Sequence, residues 1–215
     1  MRKIVAAVFV SLDGVMQAPG GKGEDPSGGF DLEGWTVPLF DEAAGAAIGA
    51  TIAEPFDLLL GRRTYDIFAG HWPRIGTGPS AENYSEMDAP IADKFNRTTK
   101  YVATHTPSTL GWQNSKALGN DVVGALRELK KQDGPMLLIQ GSSDLIQTLL
   151  AADLIDEFRL MIFPVLLGKG KRLFGTGAMP GTFRLISSTT SPNGILIAYY
   201  ERAGAVEVGS FGLEK

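Results

Sequence analysis

Short apolar runs that end in a glycine or a polar turn recur along the chain. Residues 3–10 form a nearly continuous apolar and β-branched run that stops at Asp13-Gly14, which is typical of a strand buried on both faces. Similar runs predict further buried strands at residues 56–60, 100–104, 136–140 and 157–163.

Helical patterns occur between these runs. Asn120 is predicted to cap a helix whose apolar positions Val122, Val123, Leu126 and Leu129 are spaced for one face. The other predicted helices are residues 39–53, 64–69 and 143–151. Residues 183–188 and 195–200, joined through Ser-Pro-Asn-Gly, predict a closing hairpin.

Alternating strands and helices followed by strands alone predict an α/β sheet, mainly parallel, with antiparallel C-terminal strands. No change in composition divides the chain, so we expect one domain over residues 1–203 and a C-terminal tail over 204–215. The Gly-rich segment 17–37 predicts a long functional loop, and residues 70–99 a polar segment punctuated by proline.

Composition excludes several classes of function. With 20 basic and 24 acidic residues the net charge is −4, which argues against a nucleic-acid surface. The chain has no cysteine and only two histidines, so we expect no disulfide and no metal site. The longest apolar runs, residues 4–10 and 160–167, are too short to cross a membrane, and we expect a cytoplasmic protein.

Two segments combine a buried strand, a glycine and an immediate helix. In the first, Gly61 is followed by Arg62, Arg63 and Thr64, and in the second, Gly141 is followed by Ser142 and Ser143. Such turns bring unpaired N–H groups and the positive end of a helix to an anion. The alternative is ordinary strand-end punctuation, because neither segment has the Gly-x-Gly-x-x-Gly pattern and Asp144 would repel a close phosphate.

The order of several motifs is more specific than any one of them. Ser-Leu-Asp-Gly at residues 11–14 opens a series that continues at residues 60–65, 101–106, 140–145, 154–160 and 164–170. Together they resemble the dihydrofolate reductase superfamily, most closely the branch that looks like the C-terminal reductase domain of the riboflavin-biosynthesis deaminase/reductase. The resemblance implies a single-domain, three-layer α/β fold with NADPH across the carboxyl ends of the strands.

The resemblance also implies roles for individual residues. Gly61, Arg62, Arg63 and Thr64 would meet the pyrophosphate and the adenosine 2′-phosphate. Thr104, His105 and Thr106 would line the adenosine end, although His105 replaces a common arginine or lysine and is equally typical of a solvated turn. Gly141, Ser142, Ser143 and Leu145 would lie on the pyrophosphate and nicotinamide side. Asp13 would sit beside the nicotinamide, and Asp13, Asp41 or ordered water would supply the proton.

Two differences between this sequence and the family's motifs limit the reactions that we expect. Trp35-Thr36-Val37-Pro38 resembles a folate-reductase motif, but Phe40 stands where its acid is expected, and Asp41 equally suits a first helical turn. The absence of cysteine excludes the zinc deaminase half of the riboflavin enzyme.

The expectation is therefore an NADPH-dependent reductase acting on a pyrimidine, pteridine-like or small carbonyl or imine substrate, similar to 5-amino-6-(5-phosphoribosylamino)uracil reductase. A non-catalytic nucleotide-binding protein on the same fold and a true dihydrofolate reductase are the alternatives. Relatives of this branch are commonly homodimers. The apolar run at residues 160–167 is one candidate subunit surface, and its alternative is a central strand.

Overall fold

One eight-stranded sheet organises the computed structural model, which describes residues 1–212. Its strand order is β4-β3-β2-β5-β1-β6-β8-β7, and the first six strands of that order are parallel. β8 pairs antiparallel with β6 and with β7. The strands are β1 (Ile4–Ser11), β2 (Phe56–Gly61), β3 (Lys100–Ala103), β4 (Ser115–Ala117), β5 (Met136–Ile139), β6 (Glu157–Phe163), β7 (Thr182–Thr190) and β8 (Leu196–Gly204). The predicted fold class is confirmed.

Among residues 1–212, five α-helices cover the two faces of this sheet. They are α1 (Glu42–Ala53), α2 (Arg62–His71), α3 (Ala89–Arg97), α4 (Val122–Lys131) and α5 (Ser143–Ala151). Alternate residues of one strand point to opposite layers, so Leu59 packs with Leu126 of α4 and Leu149 of α5, whereas Leu58 packs with Tyr65 of α2 and Phe95 of α3. The arrangement is the predicted three-layer one, with the sheet between two sets of helices.

Most helices and strands begin and end close to the residues predicted from local sequence signals, and the structure corrects three of these predictions. The cap of α4 is Asp121, whose carboxylate accepts the Gly124 N–H at 2.8 Å, and not the predicted Asn120. The helix predicted from residue 39 begins at Glu42, because Val37–Leu39 forms a separate 3-10 turn. α3 and β4 lie in stretches for which no element was predicted.

The C-terminal half of the sheet answers two further predictions. β6 is an interior strand between β1 and β8 and is buried along nearly all its length, so residues 160–163 of the apolar run belong to a central strand, whereas Leu166 beyond the strand is 74% exposed. β7 is instead the exposed edge. β8 continues to Gly204, the first residue of the predicted tail, and residues 213–215 of that tail lie outside the described residues. Within residues 1–212, no helix is both long and apolar enough to span a membrane.

Candidate functional site

The strand order creates a crevice between β2 and β5. β2 continues through α2 to β3 on one side, whereas β5 continues through α5 to β6 on the other. Neighbouring parallel strands whose connections diverge in this way leave an opening outside their carboxyl ends, where ligands bind in open α/β sheets. Both predicted anion-binding turns, one after β2 and one after β5, are at this opening.

The two turns contact each other directly. The N–H of Gly61 donates to the Ser142 hydroxyl at 2.9 Å, although the residues are 81 positions apart. Gly141 has φ +74° and Ser142 φ +61°, so the chain enters α5 through two left-handed residues. A Cβ on Gly141 would lie 3.5 Å from Thr64 Oγ1. The structure therefore brings together four of the predicted cofactor-binding residues.

Neither α2 nor α5 has a side-chain cap, in contrast to α1 and α4. Asp41 caps α1 and Asp121 caps α4, whereas the N-cap residues Gly61 and Ser142 make no such hydrogen bond. Asp144 lies in the first turn of α5 with its side chain exposed. The first N–H groups of both helices thus lack the partner that a cap would supply, which is the chemistry that an anion requires.

Arg62 connects the first turn to the predicted adenosine segment. Its Nε donates to Asp66 at 2.9 Å, and its Nη1 donates to the hydroxyls of Thr106 at 2.7 Å and Thr109 at 2.6 Å. The hydrogen bond to Asp66 raises the pKa of Arg62. Thr104 is buried and accepts the Thr106 N–H at 3.1 Å. This turn forms an exposed rim of hydroxyl groups beside a fixed cation.

His105 lies on the same rim with its side chain exposed, and it does not line the cavity described below. Neither do Thr104 and Thr106. The three predicted adenosine residues are therefore grouped outside the cavity, next to Arg62.

Arg63 points elsewhere and holds the Gly-rich loop. Its Nη1 lies 2.9 Å from a carboxylate oxygen of Asp25, and Lys171 binds the second oxygen of Asp25 at 2.9 Å. Burial raises the pKa of Asp25, but hydrogen bonds from Ser27 and Lys171 outweigh it and lower the pKa overall. The sequence showed no local signal for this triad, because its members are 38 and 146 positions from Asp25.

A cavity of about 1580 Å³ opens above these turns. That volume exceeds the roughly 300–1,000 Å³ of a typical single-ligand pocket, so it has room for a cofactor and a substrate. The predicted residues that line it are Gly61, Arg62, Arg63, Thr64, Gly141, Ser142, Ser143 and Leu145. Other residues of its lining include Glu24, Phe40, Ile48, Phe68, Trp72, Arg159, Met161 and Tyr199.

The two predicted proton donors are held by hydrogen bonds from the chain itself. Asp13 accepts hydrogen bonds from the Ser11 hydroxyl at 2.6 Å and from the N–H groups of Leu167 and Gly168 at 3.1 and 2.9 Å. These bonds, led by that from Ser11, lower its pKa to about 2. Asp13 is not among the residues that line the cavity.

Asp41 is also outside the cavity lining. Its carboxylate accepts the Ala44 N–H at 3.0 Å and the Asn193 N–H at 3.0 Å. The bond from Ala44 is the largest influence that lowers the pKa of Asp41. The helix-start alternative therefore describes Asp41, and a group this readily ionised is a poor proton donor near neutral pH.

Glu24 is a carboxyl group that the sequence did not single out. It lies in the Gly-rich loop and lines the cavity, and its Oε2 accepts the N–H groups of Gly20 at 2.7 Å and Gly21 at 3.3 Å. Burial is the largest influence on this group and raises its pKa. A cavity carboxyl that holds its proton more tightly than usual has the property needed for acid catalysis.

The fold and this site define an α/β protein with a large cavity at the carboxyl ends of its parallel strands. The chain belongs to the family of the RibD C-terminal domain, whose model matches residues 2–197. This is a reductase-like family whose members generally bind a nicotinamide cofactor. The predicted family resemblance is confirmed.

Individual relatives are similar over nearly the whole chain. The uncharacterized protein YyaP of Bacillus subtilis (strain 168) is 26% identical over 208 residues, covering 94% of this chain and 96% of YyaP. The uncharacterized protein YwjB of the same strain is 26% identical over 173 residues, which cover 80% of this chain and 83% of YwjB. A pyrimidine reductase-like protein of Corynebacterium diphtheriae superposes with a TM-score of 0.56 at 14% identity, covering 94% of this chain and 92% of that one. A riboflavin biosynthesis protein of Shewanella sp. PV-4 superposes with a TM-score of 0.56 at 21% sequence identity. The match covers 94% of this chain and 99% of that one.

Proposed function

We propose that this protein is an NADPH-dependent reductase that transfers hydride to a carbonyl or imine carbon of a small molecule. The observation that carries the proposal is the contact between Gly61 and Ser142, which fixes two uncapped helix starts side by side at one end of a large cavity. Family membership supports the reaction class.

The residues present fit a dinucleotide. The N–H groups that begin α2 and α5 suit a pyrophosphate, because both helices direct their positive ends to one place. Arg62 and the hydroxyls of Thr106 and Thr109 suit a 2′-phosphate, since a guanidinium and several hydroxyl groups converge there. When bound, the nicotinamide would supply the hydride, and the chain supplies orientation and exclusion of water.

Reduction of a carbonyl or imine also needs one proton. We assign it to Glu24 in place of Asp13 and Asp41, because Glu24 lines the cavity and burial raises its pKa. The N–H groups of Gly20 and Gly21 orient its carboxyl group. Glu24 would give its proton to the oxygen or nitrogen attached to the electrophilic carbon, and a proton taken up from solvent would then restore the carboxyl group.

Titration of NADPH against Gly141→Val tests the cofactor site. A β-branched side chain at φ +74° is strained and projects toward Thr64, so NADPH binding should be lost. Gly119→Val is the matched control, because Gly119 has φ +79°, is exposed and has no atom within 4 Å of an added Cβ. Melting curves of both variants measure the cost of strain alone. Equal NADPH affinity in folded Gly141→Val and Gly119→Val would refute the site.

The non-catalytic alternative makes a different prediction for the wild type. A nucleotide-binding protein would bind NADPH tightly yet leave its absorbance unchanged with every carbonyl and imine compound tested. A reductase would oxidise NADPH in proportion to substrate consumed. Reduction of dihydrofolate would favour the third alternative, but Phe40 lines the cavity at the expected acid position and Asp41 caps α1.

A further inference from the structure

Away from the two helix starts, the cavity is lined mainly by aromatic and aliphatic side chains. The ring of Phe68 stacks on Phe95 with centroids 5.8 Å apart, and Trp72 packs edge-on against Phe95 at 5.1 Å. Further apolar residues of the lining are Phe9, Phe40, Ile48, Ile52, Ile91 and Met161. Such walls favour flat apolar rings, which gain both burial and offset or edge-on aromatic contacts.

The basic groups of the lining are already paired. Lys94 donates from Nζ to the carbonyl oxygens of Ile52 and Glu54, where α1 ends. Arg159 binds the carboxylates of Glu157 at 2.7 Å and Glu54 at 2.6 Å. The other three bases hold the ion pairs already described: Arg62, Arg63 and Lys171.

A phosphorylated substrate that used Arg159 or Lys171 would therefore have to disturb an existing ion pair, and one that used Lys94 would compete with the two carbonyl oxygens that bind it. Recruiting Arg159 would leave Glu157, which is 6% exposed, as a buried carboxylate without its strongest partner. Recruiting Lys171 would weaken its ion pair with Asp25 in the Gly-rich loop. Breaking a buried pair by removing one member is among the more destabilising changes known, so an anion is disfavoured beside Arg159.

We propose that the substrate is an uncharged, flat carbonyl or imine compound with an aromatic or apolar body, and not a phosphorylated sugar derivative. This inference rests on the reductase function proposed above. It rests on different residues, however, because the helix starts hold the cofactor whereas the aromatic wall and the paired bases select the substrate.

Calorimetric titration of the full chain saturated with NADP⁺ tests the substrate class. The probes are isatin, an uncharged flat aromatic dione, and ribose 5-phosphate. Isatin is expected to bind at least about tenfold more tightly, and inorganic phosphate is expected not to compete with it. Tighter binding of ribose 5-phosphate, or displacement of isatin by phosphate, would overturn the proposal.

A charge placed in the wall gives a second test. Ile48→Lys puts an ammonium group into the lining, and Ala46→Lys makes the same change at an exposed site of α1 that does not line the cavity. Isatin affinity should fall at least about tenfold in the first variant and stay constant in the second. Equal effects would contradict the argument. Should Ile48→Lys not fold, Met87→Lys replaces it, because Met87 lines the cavity while 72% exposed.

Direct titration of NADPH separates the two proposals. Failure to bind NADPH would refute the reductase and, with it, the substrate class. Binding of NADPH together with a preference for ribose 5-phosphate would refute only the substrate class.

Discussion

Replacing Asp13 with asparagine is expected to destabilise the fold and to leave hydride transfer intact. The carboxylate ties the turn after β1 to the N–H groups of Leu167 and Gly168, more than 150 residues away. In Asp13→Asn one carboxylate oxygen becomes an NH₂ group, which cannot accept from an N–H. One backbone donor is therefore left facing a second donor.

The magnitude follows from the pKa of Asp13, which falls from 3.8 to about 2 in the folded protein. At about 1.4 kcal/mol per pKa unit this corresponds to about 2.5 kcal/mol, and partial exposure of the side chain reduces it to about 1–2 kcal/mol. For a chain of this size we expect the melting temperature to fall by about 2–8 °C. Asp31→Asn is the control, because the Asp31 side chain is 73% exposed and, among residues 1–212, forms an ion pair with Lys169 alone.

The pH dependence has a definite sign. The folded-state pKa of Asp13 is lowered, so its contribution is complete above pH 3.8 and disappears as pH falls towards 2. Denaturant unfolding should therefore separate wild type from Asp13→Asn at pH 6 and bring them together in strong acid, with most of the difference lost by about pH 2. If Asp13→Asn melted like the wild type but no longer oxidised NADPH, this reasoning would be wrong and Asp13 would be a catalytic residue.

Three other results are expected. Arg62→Ala should weaken NADPH binding about tenfold to a hundredfold and leave NADH affinity unchanged, since only NADPH has a 2′-phosphate for the guanidinium. Arg97→Ala breaks another i,i+4 ion pair and therefore controls for the loss of helix stability. Glu24→Gln should slow turnover by about 10²–10⁴-fold at unchanged NADPH affinity and abolish the fall in rate at alkaline pH, whereas an unaltered pH profile would contradict its role. Burial lowers the pKa of Lys100 from 10.5 to about 8, so unfolding experiments should show stability rising between those pH values in wild type and not in Lys100→Met.

Elements with strong local signals could be predicted from the sequence. The structure has β6 and α5 at the predicted residues, because a continuous apolar run and a Gly-Ser-Ser turn mark their limits within a few positions. The sequence does not indicate α3, because Pro90 at its start is also typical of a loop, although proline is well tolerated in a first helical turn. β4 has only three residues, too few for a period to show.

The candidate site also has parts that could be predicted from the sequence and parts that could not. Gly61 and Gly141 were predictable as turns, since each ends an apolar run, whereas their adjacency depends on β5 inserting between β2 and β1. The positions of the charged groups were not predictable, because their partners are far away in sequence. Arg159 meets Glu54 across 105 positions, and no local pattern encodes that pairing.

The two ends of the cavity are built from different kinds of groups. Backbone groups dominate the cofactor end, by which we mean the end of the cavity where we propose that the cofactor binds. Strand order and two short turns set the geometry there, and few side chains can alter it. Side chains form the other end, and the Gly-rich loop, α1 and α3 each contribute to it. Because Asp25 joins that loop to Arg63 at the start of α2, a change in the loop also acts on the cofactor end. A new substrate is therefore reached more easily by substitutions on α1 and α3, such as at Ile48, than by substitutions in the loop.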